Sequence, residues 1–85
     1  VRRRLASVPG WRVDGAKLFR EFRFDGFVDA FGFMTRVAMI AHRANHHPEW
    51  SNVYDTVRVH LTTHDVDGIS ELDFELAAAI DAARA

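Results

Sequence analysis

Along the chain the spacing of apolar residues switches between two periods, and the switches mark the elements. Residues 1–8 read as the tail of a helix ended by Pro9-Gly10, a pair that breaks helical continuity. Trp11-Arg12-Val13 then alternates, Asp14-Gly15 has the composition of a tight turn, and Ala16 to Phe24 resumes the alternation. That pattern predicts a β-hairpin. In its second strand Leu18, Arg20, Phe22 and Phe24 share one face, while Lys17, Phe19, Glu21 and Arg23 take the other. From Asp25, placed as the N-cap, to about Ala44 the period lengthens to that of a helix, and Pro48 requires the helix to stop before it. Glu49 to Thr62 is strand-like, with Val57, Val59 and Leu61 alternating with Arg58, His60 and Thr62. The pattern leaves open one long strand or two joined near Tyr54-Asp55-Thr56. Asp67-Gly68 breaks the chain, and Ser70-x-x-Asp73 has the spacing of a capping box with Asp in the place usual for Glu or Gln. The last helix should bury Leu72, Leu76, Ala79, Ile80 and Ala83. The order predicts an α+β fold, an antiparallel sheet with helices packed on one face.

The central helix is more apolar than such a fold requires. Phe27, Ala30, Phe31, Phe33, Met34, Val37, Ala38, Ile40, Ala41 and Ala44 take up about half of its circumference, where a helix serving one sheet needs a stripe of about 100°. The surplus predicts self-association through the helix of residues 25–44, with Phe33 and Ile40 as its contact residues. The plain alternative is that these two are simply exposed.

Composition sharpens this picture. Eighty-five residues make one domain that buries about 60–65% of its unfolded surface, so its stability is thin without an added constraint. With no cysteine there is neither a disulfide framework nor a zinc-thiolate site to add one, which again favours oligomerisation. A net charge of −1, from 11 basic and 12 acidic residues, gives no footprint for nucleic acid or an anionic membrane. The arginines at positions 2–4 read as a solvated helix end. No apolar run approaches a membrane span and no secretory leader is visible after Val1, so the expectation is a cytoplasmic domain.

The chemistry is concentrated in histidine. Of five, His42, His46 and His47 fall within six positions, followed by Pro48-Glu49-Trp50, and His64 arrives after the later strand. Imidazole gives or takes a proton near neutrality without tuning, and such transfers contribute about 10²–10⁴-fold each. Ser7, Ser51 and Ser70 lack a nucleophile context, and there is no glycine-rich phosphate loop. His46 and His47 have a structural alternative as cations at a helix C-terminus. His42 and His46 are four apart, as metal ligands on a helix are, but Arg43 between them opposes a dication. Trp50 stacks on a flat ligand or fills the core. His60 points outward as a solvated residue. Asp73 reads first as a cap, which would also fix the loop carrying His64.

His42-x-x-x-His46-His47-Pro48-Glu49-Trp50-x-Asn52-Val53-Tyr54, then Leu61-Thr62-Thr63-His64-Asp65, Gly68-Ile69-Ser70 and Asp73, resembles the pterin-4a-carbinolamine dehydratase family from Pro9-Gly10-Trp11 to Ile80-Asp81. The resemblance implies a four-stranded sheet, with two strands between residues 49 and 62, and a tetrameric or dimeric assembly through the helix and sheet edges. It implies elimination of water from a 4a-hydroxytetrahydropterin to give the quinonoid dihydropterin, with no metal or cofactor. His46 and His64 would be the acid and base, with His47 orienting the substrate. Asn45, Pro48, Trp50, Thr63, Asp65 and Val66 would complete the binding site, and His42 and Asp73 would support it. The partner would be a pterin-dependent hydroxylase. His42 stands where Glu or Asp is usual, Ser51 where an aromatic is common, and Asn45 where some members have Asp. A different class of function, a non-catalytic dimerisation or assembly module, would use the same helix against a partner.

Overall fold

Two periods of apolar residues produce two layers. The computed structural model describes residues 2–84. It contains α1 (Arg2–Leu5), β1 (Arg12–Asp14), β2 (Lys17–Arg23), α2 (Phe27–Ala44), β3 (Glu49–Val53), β4 (Thr56–Leu61) and α3 (Glu71–Ala83), with a 3₁₀ turn at His64–Val66. The expectations for Val1, and for the side chains of Arg2 and Arg3, lie outside the described residues. α1 is shorter than the helix tail expected over 1–8, and Val8 beyond it is buried in the core. Arg4 is half-buried and pairs with Glu71 of α3 at 2.7 Å.

The strands form one antiparallel sheet in the order β1-β2-β4-β3. The 49–62 stretch is therefore two strands, with Tyr54 in the left-handed region (φ 52°) at the turn between them. In the first hairpin Asp14 pairs with Lys17, so the turn residues are Gly15-Ala16, and Gly15 takes φ 63°. Glycine enters that region without a Cβ penalty, which is why it sits there. At the centre of the sheet Leu18 faces Leu61 and Phe22 faces Val57 across β2–β4. These four residues, with Val59, point at the helices and are fully buried. Arg20 shares their face, as alternation requires, and pairs with Asp81 of α3 at 3.0 Å. On the opposite face Phe19 lies between the Arg12 guanidinium and the His60 ring, 4.9 and 4.6 Å from its centroid. His60, expected to be solvated, is half-buried there and reaches Asp14 at 3.2 Å.

α2 meets the core through Ala30, Phe33, Val37 and Ala41, a single stripe at helical spacing. Two expectations for this helix are corrected. The N-cap is Gly26 rather than Asp25, and no side chain caps the first turn. The helix begins one residue later than its charge pattern suggested, which leaves the Asp25 carboxylate outside the capping position. Phe33 is not a contact residue for a partner: it is 0% exposed, and its ring packs at a tilt against Phe22 and Phe24, with centroids 4.8 and 5.0 Å away. Ile40 is also packed against the core. The surplus apolar arc exists on the neighbouring side of the helix, where Phe27, Val28, Phe31 and Met39 are exposed. In α3 the buried stripe is Asp73, Phe74, Leu76, Ala77 and Ile80, and Leu72, expected inside, is 52% exposed. No described helix is long and apolar enough to cross a membrane.

Truncating Phe33 to Ala should cost about 3–5 kcal/mol, a large share of what a small domain has, while Phe31→Ala should change little in an isolated chain. Urea denaturation of the two variants checks this, and equal losses would contradict the orientation of α2.

Candidate active site at the end of the central helix

The site starts from how α2 stops. Asn45 adopts the left-handed conformation (φ 53°, ψ 40°), its N–H bonds to the His42 carbonyl at 3.1 Å, and the His46 N–H bonds to the Ala41 carbonyl at 3.0 Å. These two bonds are a Schellman motif, for which Asn is the usual residue after Gly. The stop therefore belongs to Asn45, three residues before the proline expected to impose it. The reversed chain sends His46 toward α3. His47 remains exposed beside His42, with ring centroids 6.1 Å apart.

His64 comes from a second closed loop. Thr63 and Gly68 exchange backbone hydrogen bonds of 2.8 and 3.3 Å, and Asp67 takes φ 50° to close the turn between them. His64 opens the 3₁₀ turn held on that clasp. Its side chain is 85% exposed, and its Nε2 lies 3.9 Å from Glu49 Oε2. The Lys17 ammonium donates to the other oxygen of Glu49. That bond lowers the Glu49 carboxyl from its ordinary value against the opposing cost of desolvation, and the charges of Lys17, His64 and His60 add to the lowering. Glu49 is thus an anion throughout the neutral range.

Between the two loops lies Asp73, 0% exposed. The capping box is formed: the Ser70 N–H donates to Asp73 Oδ2 at 2.9 Å, and the Ser70 hydroxyl oxygen accepts from the Leu72 N–H at 3.2 Å. The Thr63 hydroxyl also donates to Oδ2, at 2.8 Å, which ties the base of the His64 loop to the cap. The remaining oxygen, Oδ1, lies 2.6 Å from His46 Nε2.

His46, His47 and His64 line one cleft of about 630 Å³. Asn45, Thr63 and Asp65 share its wall, together with Ala44, Thr62 and Leu72, which spacing did not single out. Leu72 appears there because Asp73, not Leu72, takes the inward position at the head of α3. The other candidates are elsewhere. Trp50 packs against the core, Pro48 and the exposed Val66 stand off the cleft wall, and His42 faces His47. The helical pair His42 and His46 does not converge, because His46 is turned to Asp73. Among the described residues no three His, Asp or Glu side chains are grouped to hold a metal ion.

The sequence profile of the pterin 4 alpha carbinolamine dehydratase family matches residues 1–83. The chain belongs to that family. A relative from Prochlorococcus marinus (strain MIT 9303), which bears the provisional name pterin-4-alpha-carbinolamine dehydratase, is 60% identical over 75 residues, 88% of this chain and 78% of its own. One of the same provisional name from Sinorhizobium fredii is 49% identical across all of this chain and 83% of its own length. Among solved structures, a transcriptional coactivator/pterin dehydratase from Brucella melitensis superposes with a TM-score of 0.94 at 41% identity, covering 99% of this chain and 92% of that one. A pterin dehydratase-like protein described as a RuBisCO assembly factor in the alpha-carboxysome shares the fold, with a TM-score of 0.78 at 23% identity over 88% and 89% of the two chains. The pterin dehydratase fold expected from the sequence is the fold found.

Asn45→Ala should lower stability by about 1–2 kcal/mol, the cost of a left-handed residue with a Cβ, whereas Asn45→Gly should match or exceed the natural protein. Thermal unfolding of both variants is the measurement, and an alanine variant of undiminished stability would remove the energetic role given to the helix stop.

Proposed function

We propose that the chain dehydrates 4a-hydroxytetrahydropterins to quinonoid dihydropterins by histidine acid/base catalysis, the step that returns the pterin cofactor of an aromatic amino acid hydroxylase to its cycle. The observation that carries this reading is that imidazoles from two separate stretches of chain, His46-His47 and His64, line the same cleft. The reaction needs a proton removed from N5 and a proton supplied to the hydroxyl leaving C4a. Two imidazoles on different walls suit that traffic, because imidazole as a side-chain type both gives and takes protons. The cleft volume is within the range of small-molecule sites, large enough for a bicyclic ring. His47 and the polar groups of Asn45, Thr63 and Asp65 are the groups available to orient it. The family and the names of its relatives favour the same substrate class.

The test couples a tetrahydropterin-dependent hydroxylase to this protein and follows decay of the 4a-carbinolamine absorbance. His46→Ala and His64→Ala should each lower the enzymatic rate by about 10²–10⁴-fold, toward the spontaneous rate. A natural protein that fails to accelerate the decay, or a double variant that accelerates it equally, would end the proposal.

A second role is favoured by the exposed stripe of Phe27, Val28, Phe31 and Met39 on α2, an apolar surface that suits a second copy of the chain or a partner helix. We expect sedimentation to find a dimer or tetramer, and a Val28→Glu/Phe31→Glu variant to be monomeric. An assembly unchanged by both charges would move the interface elsewhere, for instance to the β3 edge of the sheet.

A further inference from the structure

We propose that Asp73 is the positioning residue that assigns the two proton transfers: it fixes His46 as the base acting through Nδ1 and leaves His64 as the acid. The inference deepens the dehydratase reading and rests on it.

A carboxylate only accepts hydrogen bonds, so the 2.6 Å contact between Asp73 Oδ1 and His46 Nε2 places the imidazole proton on Nε2. Asp73 has no freedom to offer a different arrangement. Its second oxygen is taken by the Ser70 N–H and the Thr63 hydroxyl, at 2.9 and 2.8 Å. The Thr63 hydroxyl is itself committed as a donor there, so its 2.7 Å contact with Ser70 makes the Ser70 hydroxyl the donor of that pair. The Ser70 N–H, the Thr63 hydroxyl and the His46 ring thus all donate to the carboxylate. His46 Nδ1 has no hydrogen-bond partner among the described residues and is not sealed from solvent, so with Nε2 occupied it is the ring nitrogen left free, as a lone pair, to meet a ligand in the cleft that His46 lines.

A neutral imidazole with its lone pair presented is a base, and the carboxylate behind it stabilises the cation that forms when it takes a proton. His64 has no such buried partner: its ring is exposed, and its charged neighbour is the anionic Glu49 at 3.9 Å, which leaves its nitrogens free to donate into the cleft. The step then balances. The N5 proton moves to His46 Nδ1, the N–H electron pair becomes the second bond between N5 and C4a, and the C4a–O bond breaks with its own pair. The oxygen takes the proton of His64 and leaves as water. Solvent returns a proton from His46 to His64 and restores both.

Asp73→Asn separates this role from a structural one. The amide oxygen can keep the Ser70 and Thr63 bonds, so the cap survives, but the amide nitrogen then donates to His46 Nε2 and forces the proton onto Nδ1. In histidine-labelled protein, two-bond ¹⁵N correlation spectra should show His46 protonated at Nε2 in the natural chain and at Nδ1 in the variant. The kcat for dehydration should fall by about 10²–10⁴-fold with KM changed less than threefold. Ser70→Ala is the control: it weakens the same cap and should lower the melting temperature, yet leave kcat and the tautomer unchanged. An active natural protein whose Asp73→Asn variant keeps its kcat, or whose His46 carries its proton on Nδ1, overturns the positioning role and leaves the dehydratase reading standing. A natural protein without dehydratase activity overturns both, whatever the tautomer.

Discussion

A carboxylate with no solvent exposure is costly to bury, by several kcal/mol, unless its lone pairs are met by hydrogen-bond donors. Asp73 meets that condition by drawing its donors from three places: the N-cap of its own helix, the threonine at the base of the His64 loop, and the imidazole that follows α2. The N-terminal end of the α3 dipole favours the same negative charge. The arrangement makes one side chain the meeting point of elements that sheet and helix packing alone would leave to settle separately. Its chain length matters. At the third helical position a glutamate would reach the N-cap N–H with one more methylene, and Oδ1 would no longer stand where His46 arrives.

The rest of the molecule delivers the partners to that point. The β2–β4 pair is the centre of the sheet, and Leu18, Phe22, Val57, Val59 and Leu61 on its inner face are fully buried. It fixes where β4 ends, and therefore where the Thr63–Gly68 clasp forms. The Schellman stop at Asn45 fixes where α2 ends, and therefore where His46 leaves the helix. Each loop is held by its own backbone hydrogen bonds before it meets Asp73, so little conformational freedom remains to be lost when the carboxylate joins them. Apolar packing supplies the stability of the frame, and the polar joint supplies its register.

Local features of this design were legible in the sequence and long-range ones were not. The capping box could be read because Ser70 and Asp73 are three residues apart and act on each other. The second half of Asp73's coordination could not, since His46 lies 27 residues away and reaches it only after both helices are placed. The alternation around Leu18 and Phe22 assigned the faces of β2, because a strand offers only two. A helix wheel offers a continuous circle, and half of α2's circle is apolar. Which end of that arc meets the sheet depends on where α3 sits, so the wheel offers Phe33 as a contact for a partner although packing makes it part of the core. Leu72 was assigned inward by the same reasoning. A buried aspartate at the next position is the kind of exception that an apolar pattern has no means of signalling. Trp50 shows the converse: a residue equally suited to ligand and core, packed against the core once β3 is an edge strand beside β4.

The two histidine environments differ in a way that bears on how such a small cleft can work. His46 is held at 2.6 Å by a buried carboxylate whose other oxygen is engaged by Ser70 and Thr63, so its ring orientation is set before any ligand arrives. His64 stands almost fully in solvent on a four-residue loop, with one anion 3.9 Å away. Elimination asks different things of its two ends. Removing a proton from a ring nitrogen requires a base aligned with that N–H, because proton transfer falls off steeply with distance and angle. Protonating a departing hydroxyl is more tolerant, since the oxygen presents several lone pairs and water can relay the proton. One fixed and one solvent-exposed imidazole would therefore match the geometry of the proposed reaction. The exposed ring would also exchange protons with solvent between turnovers, which an enclosed pocket would hinder.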